Sequence, residues 1–482
     1  MTIGFEGLLI GGERVASVSG DVGDVHDPAT GEAFTSVALG GRDDVNVAVR
    51  VAKETFQSPS WRTMTPAARG EILRRIADGI TRDRERFAAA ESRNAGKPTS
   101  AALGEIDAAA TTFRFYAGAV DKIHGQTIPG KADGTLLTFR EPLGVVGVIV
   151  PWNFPLLILA WKVAPALAMG NTVVAKPAGV TPLTALMLGD LALEAGLPPG
   201  VLNVVPGPGS TVGSAMVTHP DVRKISFTGS TEVGAGVMRE AADDIKRVSL
   251  ELGGKSASIV FADADMAEAV ESSIWAVYDN AGQDCCARSR ILVEASKYDE
   301  FVAAFAHRAE ALTVGDPLND DTDIGPLITP SHRASVETHL QRAEDEGATR
   351  VCGGERLTGD AAKGNFLTPA VYVDVRPEMS IMREEVFGPV VAIAPFGDED
   401  EAVALANDSD YGLSGSIWTR DIGRAMRVSR AFETGMISIN SSSSVHIEAP
   451  FGGMKRSGIG REQGMVALDH YSEYKTVFIA NN

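Results

Sequence analysis

Residues 145–150 (VVGVIV) and 172–176 (TVVAK) are short β-rich runs that indicate the fold class. Three further runs follow, and helical patterns separate them. The runs lie at 202–205, 224–227 and 247–250, and the helical patterns lie at 181–195, 211–218 and 233–242. Strands that alternate with helices at this spacing are typical of βαβ units, which build parallel sheets. The sequence therefore predicts an α/β fold.

A second series of β-rich runs follows residue 253 and predicts a second α/β domain. Its runs lie at 256–260, 289–293, 371–373, 390–395, 416–418 and 436–439. Ahead of the first series, residues 42–90 and 106–124 have a helical pattern, and Pro66 marks a helix start. The chain is thus predicted to contain two α/β domains in tandem, preceded by helices.

Two β-rich segments belong to neither series. Residues 127–139 (TIPGKADGTLLTF) predict a hairpin within 125–140, and residues 474–480 (YKTVFIA) predict a terminal strand. Because isolated strands bury little surface alone, we expect these two segments to pair with another subunit.

The composition and charge exclude several classes of protein. The 482-residue chain has 63 acidic and 44 basic side chains, which give a net charge of −19. This acidity argues against binding to nucleic acid or to an anionic membrane, since both require basic patches. The apolar stretch 143–175 is interrupted by Pro151, Pro155 and Lys162, and a membrane span needs about 20 uninterrupted apolar residues. No secretory signal is visible, so we expect a soluble, cytoplasmic protein.

Cysteine supplies the first candidate catalytic group. Cys285, Cys286 and Cys352 are too few for a disulfide framework and lack the spacing of a zinc site, so we expect no metal and a reducing environment. Cys285 ends a polar, glycine-containing loop, which suits a nucleophile activated by a lowered pKa. An inward-pointing Asp284 would instead raise that pKa. The alternative for Cys285 is a buried structural role.

Glu251 and Asn153 have the surroundings of catalytic groups. Glu251 lies between two leucines after a predicted strand, where apolar surroundings would raise its pKa toward neutrality, as suits a general base. Asn153 lies within PWNFP at 151–155, where its amide could donate a hydrogen bond to an oxyanion. The alternatives are a surface glutamate at a strand end and an asparagine that packs within a loop.

Two glycine-rich segments resemble phosphate-binding loops. Residues 207–213 (GPGSTVG) match a dinucleotide fingerprint only loosely, because three residues separate the last two glycines. Residues 227–234 (FTGSTEVG) follow a predicted strand and open a helix, where free N–H groups and the helix dipole favour a phosphate. The alternative for both segments is that the glycines only form turns.

Together these segments resemble the aldehyde dehydrogenase superfamily, in its hydrolytic branch that does not acylate CoA. The matching motifs run along nearly the whole chain as PWNFP at 151–155, KPA at 176–178, FTGSTEVG at 227–234, LELGGKS at 250–256, GQDCC at 282–286, EEVFGPV at 384–390 and PFGGMKRSGIGRE at 450–462. The resemblance implies a Rossmann-like NAD(P)-binding domain (1–124 and 143–253) and an α/β catalytic domain (254–466). It also implies a small β oligomerisation arm (125–142 and 467–482) in a homodimer or homotetramer.

The resemblance further implies the role of each site residue. Cys285 would attack the aldehyde, with Asn153 as the oxyanion donor. Glu251 would activate the water that hydrolyses the thioester, with Glu462 as a proton-relay partner. The residues implied to bind NAD or NADP are Val150, Pro151, Trp152, Lys176, Gly179, Gly209, Gly213, Phe227, Gly229, Ser230, Leu252, Glu385 and Phe387. The residues implied to line the substrate tunnel are Phe154, Ile158, Trp161, Asp284, Val445 and Phe451.

Two positions qualify this resemblance. Many NAD-preferring relatives carry a glutamate after KPA, where this chain has Gly179. Without that carboxylate nothing repels a 2′-phosphate and Lys176 is available to bind it, so we expect NADP to be tolerated. Asp284 is often an uncharged residue in relatives. It either favours cationic amino- or ammonio-aldehydes, or turns to solvent or to a local arginine such as Arg288.

Three alternatives to a general aldehyde dehydrogenase remain open. The first is a semialdehyde or betaine/amino-aldehyde specialist, although the tunnel shows no arginine cluster for a dicarboxylic semialdehyde. The second is a CoA-acylating semialdehyde dehydrogenase, which Glu251 disfavours because those enzymes typically lack this base. The third is a non-catalytic structural or binding protein, which the presence of Cys285, Glu251 and Asn153 disfavours. The expected partner is a small-molecule aldehyde.

Overall fold

The structure is a computed structural model that describes residues 6–130 and 133–481. Their strands form an eight-stranded sheet, a seven-stranded sheet, a three-stranded sheet and two sheets of two strands. The two large sheets contain the two predicted series of strands, so the α/β fold is confirmed. Among the described residues, no helix is both long enough and apolar enough to cross a membrane.

The eight-stranded sheet is built on the first predicted series. In spatial order its strands are β2 (Glu13–Val15), β1 (Leu8–Ile10), β9 (Leu202–Val204), β8 (Thr172–Lys176), β7 (Val145–Ile149), β10 (Val222–Thr228), β11 (Arg247–Glu251) and β21 (Gly458–Ile459). The five strands from β9 to β11 in this order run parallel, as predicted, whereas β1 and β21 join antiparallel. Strands β1, β2 and β21 are too short for hydrophobic periodicity to predict them.

The direction of strand addition reverses between β7 and β10. The chain adds β8 and then β9 on one side of β7, and it then places β10 and β11 on the other side. In open α/β sheets, ligands bind in the crevice at the carboxyl ends of the strands where such a reversal occurs. The loops that follow β7 and β10 therefore meet at an expected binding site.

The helices of the first half pack against this sheet or against one another. They are α1 (Arg42–Gln57), α2 (Pro59–Arg62), α3 (Pro66–Arg82), α4 (Arg84–Ala95), α5 (Thr99–Ala119), α6 (Pro155–Ala168), α7 (Leu183–Glu194), α8 (Ser214–Thr218) and α9 (Thr231–Ala241). The predicted start of α3 is confirmed, because the Thr65 hydroxyl accepts a hydrogen bond from the Ala68 N–H. Helix α6 is apolar on all sides and lies buried in the largest core cluster.

Two predicted helices have different bounds in the structure. The helix expected at 106–124 begins earlier, since α5 starts directly after Pro98, and it ends in a 3₁₀ turn at Val120–Lys122. The helix expected at 211–218 is a π-helical turn, Gly209–Gly213, followed by α8. Glycine is a poor helix former, and this π turn has a glycine at each end.

The seven-stranded sheet contains the second predicted series. In spatial order its strands are β14 (Thr349–Cys352), β15 (Ala370–Val373), β16 (Val390–Phe396), β13 (Arg290–Glu294), β12 (Ala257–Val260), β18 (Ser414–Trp418) and β19 (Met436–Ile439). All pairs are parallel except β14 with β15, and β14 was not predicted. The helices of this half are α10 (Met266–Tyr278), α11 (Tyr298–Glu310), α12 (Pro330–Asp345), α13 (Ser380–Arg383), α14 (Glu399–Asn407) and α15 (Ile422–Ala431).

The three-stranded sheet forms the arm expected from the hairpin and the terminal strand. It consists of β5 (Thr127–Ile128), β6 (Gly134–Pro142) and β22 (Ser472–Ala480), with β6 in the middle. Lys131 and Ala132 of the predicted hairpin turn lie outside the described residues. The two remaining sheets pair β3 (Val22–His26) with β4 (Ala33–Ala38), and β17 (Tyr411–Gly412) with β20 (Met454–Lys455).

One buried amide, Asn171, connects the first sheet to the base of the arm. Its Oδ1 accepts hydrogen bonds from the N–H groups of Leu143 and Gly144 at 2.7 and 3.1 Å. Its Nδ2 donates to the carbonyl oxygens of Ala166 and Tyr471 at 3.1 and 2.9 Å. The side chain is fully buried, so water cannot replace these bonds without a rearrangement of the fold.

We expect Asn171→Ala to destabilise the fold strongly. The substitution removes four hydrogen bonds, and a buried polar group left without a partner costs about 1–3 kcal/mol. The free energy of unfolding should therefore fall by roughly 3 kcal/mol or more, measured by urea unfolding. Asn46→Ala on the exposed face of α1 is the control, with an expected change below about 0.5 kcal/mol. Equal losses in the two variants would contradict this role of Asn171.

Candidate active site

The loops after β7 and β10 meet at a cleft that reaches Cys285. A cavity of about 240 Å³ lies in this cleft. The predicted site residues in its lining are Pro151, Trp152, Asn153, Gly229, Ser230, Leu252, Cys285, Glu385 and Phe387. The structure thus brings the candidate nucleophile and the candidate oxyanion donor together with seven of the predicted cofactor-binding residues.

Lys176 lies at the carboxyl end of β8, outside the lining of this cavity. Its buried Nζ donates a hydrogen bond to the carbonyl oxygen of Pro177 at 3.1 Å. Burial lowers the pKa of Lys176 to about 8. A Cβ at Gly213 would lie 3.8 Å from the Lys176 side chain, so the π turn and the end of β8 are in contact. This places one cation beside the expected cofactor cleft.

The start of α9 has the features of a phosphate-binding site. The Ser230 hydroxyl accepts a hydrogen bond from the Val233 N–H at 3.4 Å. Gly229 directly precedes this first turn of the helix. At Gly229 a Cβ would approach the ring of Phe227 to 2.6 Å, so any side chain there would clash with that ring. Backbone N–H groups and the helix dipole can therefore approach an anion closely.

Three other residues predicted to bind the cofactor, Val150, Gly179 and Gly209, lie outside the lining of the 240 Å³ cavity. A Cβ at Gly179 or at Gly209 would meet no atom within 4 Å, so both positions face open space. Val150 is buried directly after β7. The structure leaves room around the two glycines for a ligand.

Glu385 is held next to the backbone of the glycine pair after Glu251. Its Oε1 accepts a hydrogen bond from the Gly254 N–H at 2.9 Å, and a Cβ at Gly253 would lie 2.2 Å from its other oxygen. Burial raises the pKa of Glu385 to about 7. The glycine therefore allows this carboxyl group to approach the backbone within the cleft.

An aromatic wall made by Trp152, Phe387 and His332 borders the cleft. The Trp152 ring centroid lies 5.4 Å from that of Phe387 and 5.3 Å from that of His332. His332 Nε2 lies 2.8 Å from the carbonyl oxygen of Phe387, which has a left-handed φ of 56°. Burial lowers the pKa of His332, so the ring is neutral at neutral pH. His332 was not predicted from the sequence, because no local motif surrounds it.

The loop that carries Cys285 is strained and is fixed by amide side chains. Asn280, Ala281 and Gly282 have left-handed φ values of 50°, 58° and 70°. The Gln283 amide donates to the carbonyl oxygen of Asn280 at 2.9 Å, and Asn153 Nδ2 donates to the carbonyl oxygen of Gln283 at 2.9 Å. Such strain persists only where the surroundings hold it, and these buried bonds supply that restraint.

The Cys285 thiol is protonated in this environment. A hydrogen bond with Cys286, burial and the charge of Asp284 all raise its pKa. Asp284 Oδ1 accepts a hydrogen bond from the Cys286 N–H at 2.9 Å. A carboxyl oxygen of Asp284 and the sulfur atoms of Cys285 and Cys286 all lie within 4.8 Å of one another. Burial raises the pKa of Asp284 and the charge of Arg288 partly offsets this increase, although no ion pair joins the two side chains among the described residues. Activation of Cys285 therefore requires a base or an incoming positive charge.

Glu251 is a buried carboxyl group at the end of β11. Burial, and then the charge of Glu462, raise its pKa well above the usual range. Its Oε2 has no hydrogen-bond partner within residues 6–130 and 133–481. Glu462 forms a buried ion pair with Lys162, and Ser226 lies 3.3 Å from the same carboxyl oxygen. The carboxyl group of Glu251 thus lies within the electrostatic influence of the buried Glu462–Lys162 ion pair.

A second cavity, of about 740 Å³, also reaches Cys285. All six predicted tunnel residues line it, namely Phe154, Ile158, Trp161, Asp284, Val445 and Phe451. The Trp161 and Phe451 ring centroids lie 5.0 Å apart. Cys285 is therefore reached from two sides, by the cleft at the switch point and by this tunnel.

Known proteins match this chain along nearly its whole length. A model of the aldehyde dehydrogenase family matches residues 15–477. Retinal dehydrogenase 2 from Homo sapiens is 46% identical over 483 residues, which cover 99% of this chain and 92% of that protein. An aldehyde dehydrogenase from Bacillus cereus, solved as an NAD⁺ complex, has a TM-score of 0.97 at 41% identity and covers 99% of this chain and 97% of that one. The chain belongs to the aldehyde dehydrogenase family.

Membership of this family confirms the resemblance drawn from the motifs. A betaine aldehyde dehydrogenase from Staphylococcus aureus, solved with NAD⁺, has the same TM-score of 0.97 at 39% identity, covering 98% of this chain and 94% of that one. The chain is thus an NAD(P)-dependent oxidoreductase that oxidises an aldehyde. The two cavities that meet at Cys285 have the arrangement that such a two-substrate reaction requires.

Gly452 lies directly against the Glu251 carboxyl group. It has a φ of 157°, and a Cβ there would lie 2.7 Å from Glu251 Oε1 and 2.9 Å from the carbonyl oxygen of Gly460. Both distances are shorter than real Cβ contacts. The position of the Glu251 carboxyl group therefore depends on the absence of a side chain at residue 452.

We expect Gly452→Ala to impair turnover by displacing Glu251. A displacement of about 1 Å at a catalytic group can reduce the rate roughly 100-fold, so we expect a steady-state loss of 10- to 100-fold. The measurement is NAD(P)H absorbance with a saturating aldehyde. Gly118→Ala, at an exposed α5 position with no atom within 4 Å of the new Cβ, is the control. A normal rate in Gly452→Ala would contradict this dependence.

Proposed function

We propose that this chain oxidises an aldehyde to the carboxylic acid with NAD(P)⁺ and water, through a thiohemiacetal and a thioester on Cys285. One observation carries the proposal, namely that Cys285 lines both the cleft at the switch point and the separate tunnel. A nucleophile in that position can receive an aldehyde from the tunnel while a cofactor occupies the cleft.

In the first step the Cys285 sulfur forms a bond to the carbonyl carbon, and its thiol proton passes to a base. The carbonyl oxygen becomes an oxyanion. One N–H of the Asn153 amide is used by the carbonyl oxygen of Gln283, which fixes the amide and leaves its second N–H for the oxyanion. Asn153 thus stabilises charge that develops only as the bond forms.

The residues around the cleft suit a dinucleotide. Lys176 and Glu385 would bind ribose hydroxyls, the start of α9 would hold the pyrophosphate, and Trp152 and Phe387 would border the nicotinamide. When bound, NAD(P)⁺ supplies an acceptor for the hydride that leaves the thiohemiacetal carbon.

Glu251 then removes a proton from water, which attacks the thioester carbon. The carbon–sulfur bond breaks, and the acid is released as the Cys285 thiol reforms. The proton that Glu251 took from water passes to the Cys285 sulfur in this step, and Glu462, whose ion pair with Lys162 lies in the same buried network, would act as the relay partner of Glu251. A coenzyme A acceptor would need no such base, so the buried Glu251 favours hydrolysis.

We expect Cys285→Ser to abolish aldehyde oxidation and Glu251→Gln to separate its two halves. A serine hydroxyl is a far weaker nucleophile than a thiolate, so oxidation should fall at least about 100-fold. Glu251→Gln should retain a rapid burst of NAD(P)H and then turn over slowly, because Glu251 is proposed as the base for hydrolysis and not for the attack by Cys285.

Stopped-flow absorbance measures both phases, and the pH profile provides the control. Since the pKa of Glu251 is raised, its ionised form increases as pH rises, and the wild-type steady-state rate should rise with it. Glu251→Gln should lose this rise. Equal rates for wild type and Cys285→Ser would refute covalent catalysis.

We also propose that NADP is accepted. Gly179 faces open space, so nothing there repels a 2′-phosphate, and Lys176 is the nearby cation of the cleft. Acceptance of NADP therefore stays a prediction for this chain.

We expect Gly179→Glu to shift the preference toward NAD. A carboxylate placed there would repel a 2′-phosphate and could bind the ribose hydroxyls, so the NAD/NADP ratio of kcat/KM should rise about tenfold or more. Gly179→Gln, which has the same size without the charge, is the matched control. Absolute NAD selectivity of the wild-type protein would overturn the proposal.

We further propose that the arm pairs with a second copy of the chain. Strand β22 pairs with β6 over nine residues, from Ser472 with Pro142 to Ala480 with Gly134. Their exposed apolar side chains include Phe139, Tyr474, Phe478 and Ile479. An exposed apolar surface of this kind indicates a protein interface, which supports a homodimer or homotetramer.

A further inference from the structure

The tunnel that ends at Cys285 has an acidic lining. Its carboxyl groups belong to Glu105, Glu268, Glu271, Asp279 and Asp284. Among the described residues of the lining, Arg288 supplies the one cationic side chain. Because the tunnel contains the nucleophile, the reacting aldehyde must lie among these charges.

Arg288 offsets the charge of the acidic lining only in part: it lowers the pKa of Asp284 against the larger effect of burial, but it forms no ion pair with a described carboxyl group of the lining. Its buried guanidinium donates hydrogen bonds to uncharged oxygens, namely the carbonyl groups of Cys286 and Ser442 and the hydroxyl groups of Ser414 and Ser416. These bonds hold it in the wall behind Cys286. The charge of Asp284 is left without an ion-pair partner among the described residues.

Lys97 neutralises only part of the remaining negative charge. This fully buried ammonium forms an ion pair with Glu105, and its Nζ lies 3.9 Å from Glu91. It also donates a hydrogen bond to the carbonyl oxygen of Asn153 at 2.9 Å. Burial raises the pKa values of Glu91, Glu105 and Asp279, and the charge of Lys97 partly offsets the increase at each of them. Three carboxyl groups therefore share one cation.

The pKa values of Glu105, Asp279 and Asp284 are raised, as expected for acidic groups with too few cations around them. Burial raises the pKa of Glu105 to about 8 and also raises those of Asp279 and Asp284. The charge of Asp279 contributes to the increase at both of the other groups. The inner tunnel thus holds protons that a positively charged ligand could replace.

The outer carboxyl groups differ from this inner set. Glu271 is paired with Arg308 at 2.9 Å, and Glu268 is exposed at the rim. Asp279 is also exposed, but its charge contributes to the raised pKa values of Glu105 and Asp284, so it acts together with these two groups. The unbalanced charge is therefore concentrated at Glu105, Asp279 and Asp284, which we name the inner acidic set.

We propose that the aldehyde substrate carries a positively charged ammonium group, which the inner acidic set recognises. This proposal rests on the proposed aldehyde oxidation at Cys285. An ammonium group supplies the missing cation, whereas a neutral aldehyde supplies none and a carboxylate-bearing aldehyde is repelled. The aromatic faces of Trp161 and Phe451 in the same cavity suit the alkyl groups of such a cation.

The same charge would assist the chemistry. A cation that enters the tunnel favours the ionised forms of nearby acids, and the Cys285 thiol is one of them. Recognition of the ammonium group would therefore also promote formation of the thiolate. A neutral aldehyde of equal size would lack this effect.

The test compares two aldehydes of the same shape. Trimethylammonioacetaldehyde and tert-butylacetaldehyde differ only by a nitrogen cation in place of a neutral carbon. We expect wild-type kcat/KM to favour the cationic aldehyde at least about tenfold. Asp284→Asn, which can still accept the hydrogen bond from Cys286, should reduce this ratio about tenfold, and Asp279→Asn should reduce it in the same direction. Glu310→Gln, at an exposed position of α11 outside the tunnel lining, is the matched control and should change the ratio less than about twofold.

Each outcome decides one of the two proposals. A wild-type ratio of one or less, or an unchanged ratio in both aspartate variants, would overturn the cationic substrate and leave aldehyde oxidation intact. Absence of Cys285-dependent oxidation with either aldehyde would overturn the proposed function itself. If an aspartate variant loses turnover, calorimetric binding of the corresponding trimethylammonium alcohol gives the second measurement. Weaker binding than to wild type supports the proposal, and equal binding overturns it.

Discussion

The hydrogen bond from the Asn153 amide to the carbonyl oxygen of Gln283 joins the two halves of the active site. Asn153 follows the central strand of the first sheet, whereas Gln283 belongs to the loop between α10 and the second sheet. Asn280 strengthens the connection, because its amide donates to the carbonyl oxygens of both residues at 3.1 and 3.2 Å. The proposed oxyanion donor and the proposed nucleophile are therefore aligned by buried hydrogen bonds between loops, in addition to the packing of the sheets.

This alignment has an energetic cost that the surrounding structure must offset. Non-glycine residues in left-handed conformations cost about 1–3 kcal/mol each, and Asn280 and Ala281 are two such residues in sequence. At Gly282 a Cβ would lie 2.0 Å from the carbonyl oxygen of Gly388, so the loop passes very close to another backbone. A relaxed loop would move Cys285 away from Asn153. The strain is consequently tied to the position of the nucleophile.

The sequence predicted those parts of the fold and site that depend on short, contiguous signals. The motifs around Asn153, Glu251 and Cys285 are local, and the structure brings the predicted residues to one cleft or to the adjoining tunnel. Strand β21 and His332 were not predicted, because β21 has two residues and His332 acts through a contact with Phe387 far along the chain. The raised pKa of Cys285 depends first on a hydrogen bond with Cys286 and on burial, which only the folded loop defines, whereas the contribution of Asp284 was expected from the sequence.

The chemistry and the specificity of this enzyme overlap in the Cys285 loop, which also carries Asp279 and Asp284, but most of the tunnel lies on other elements. Asn153, Glu251 and Cys285 lie on loops or strand ends, where the two sheets approach each other. The tunnel, in contrast, is built mainly from helix faces, with Glu105 on α5 and Trp161 on α6. Substitutions on those faces can change the charge of the tunnel without moving the catalytic groups. Relatives that act on uncharged aldehydes can therefore share the mechanism. The charge of the preferred aldehyde then depends on the charged side chains of each tunnel.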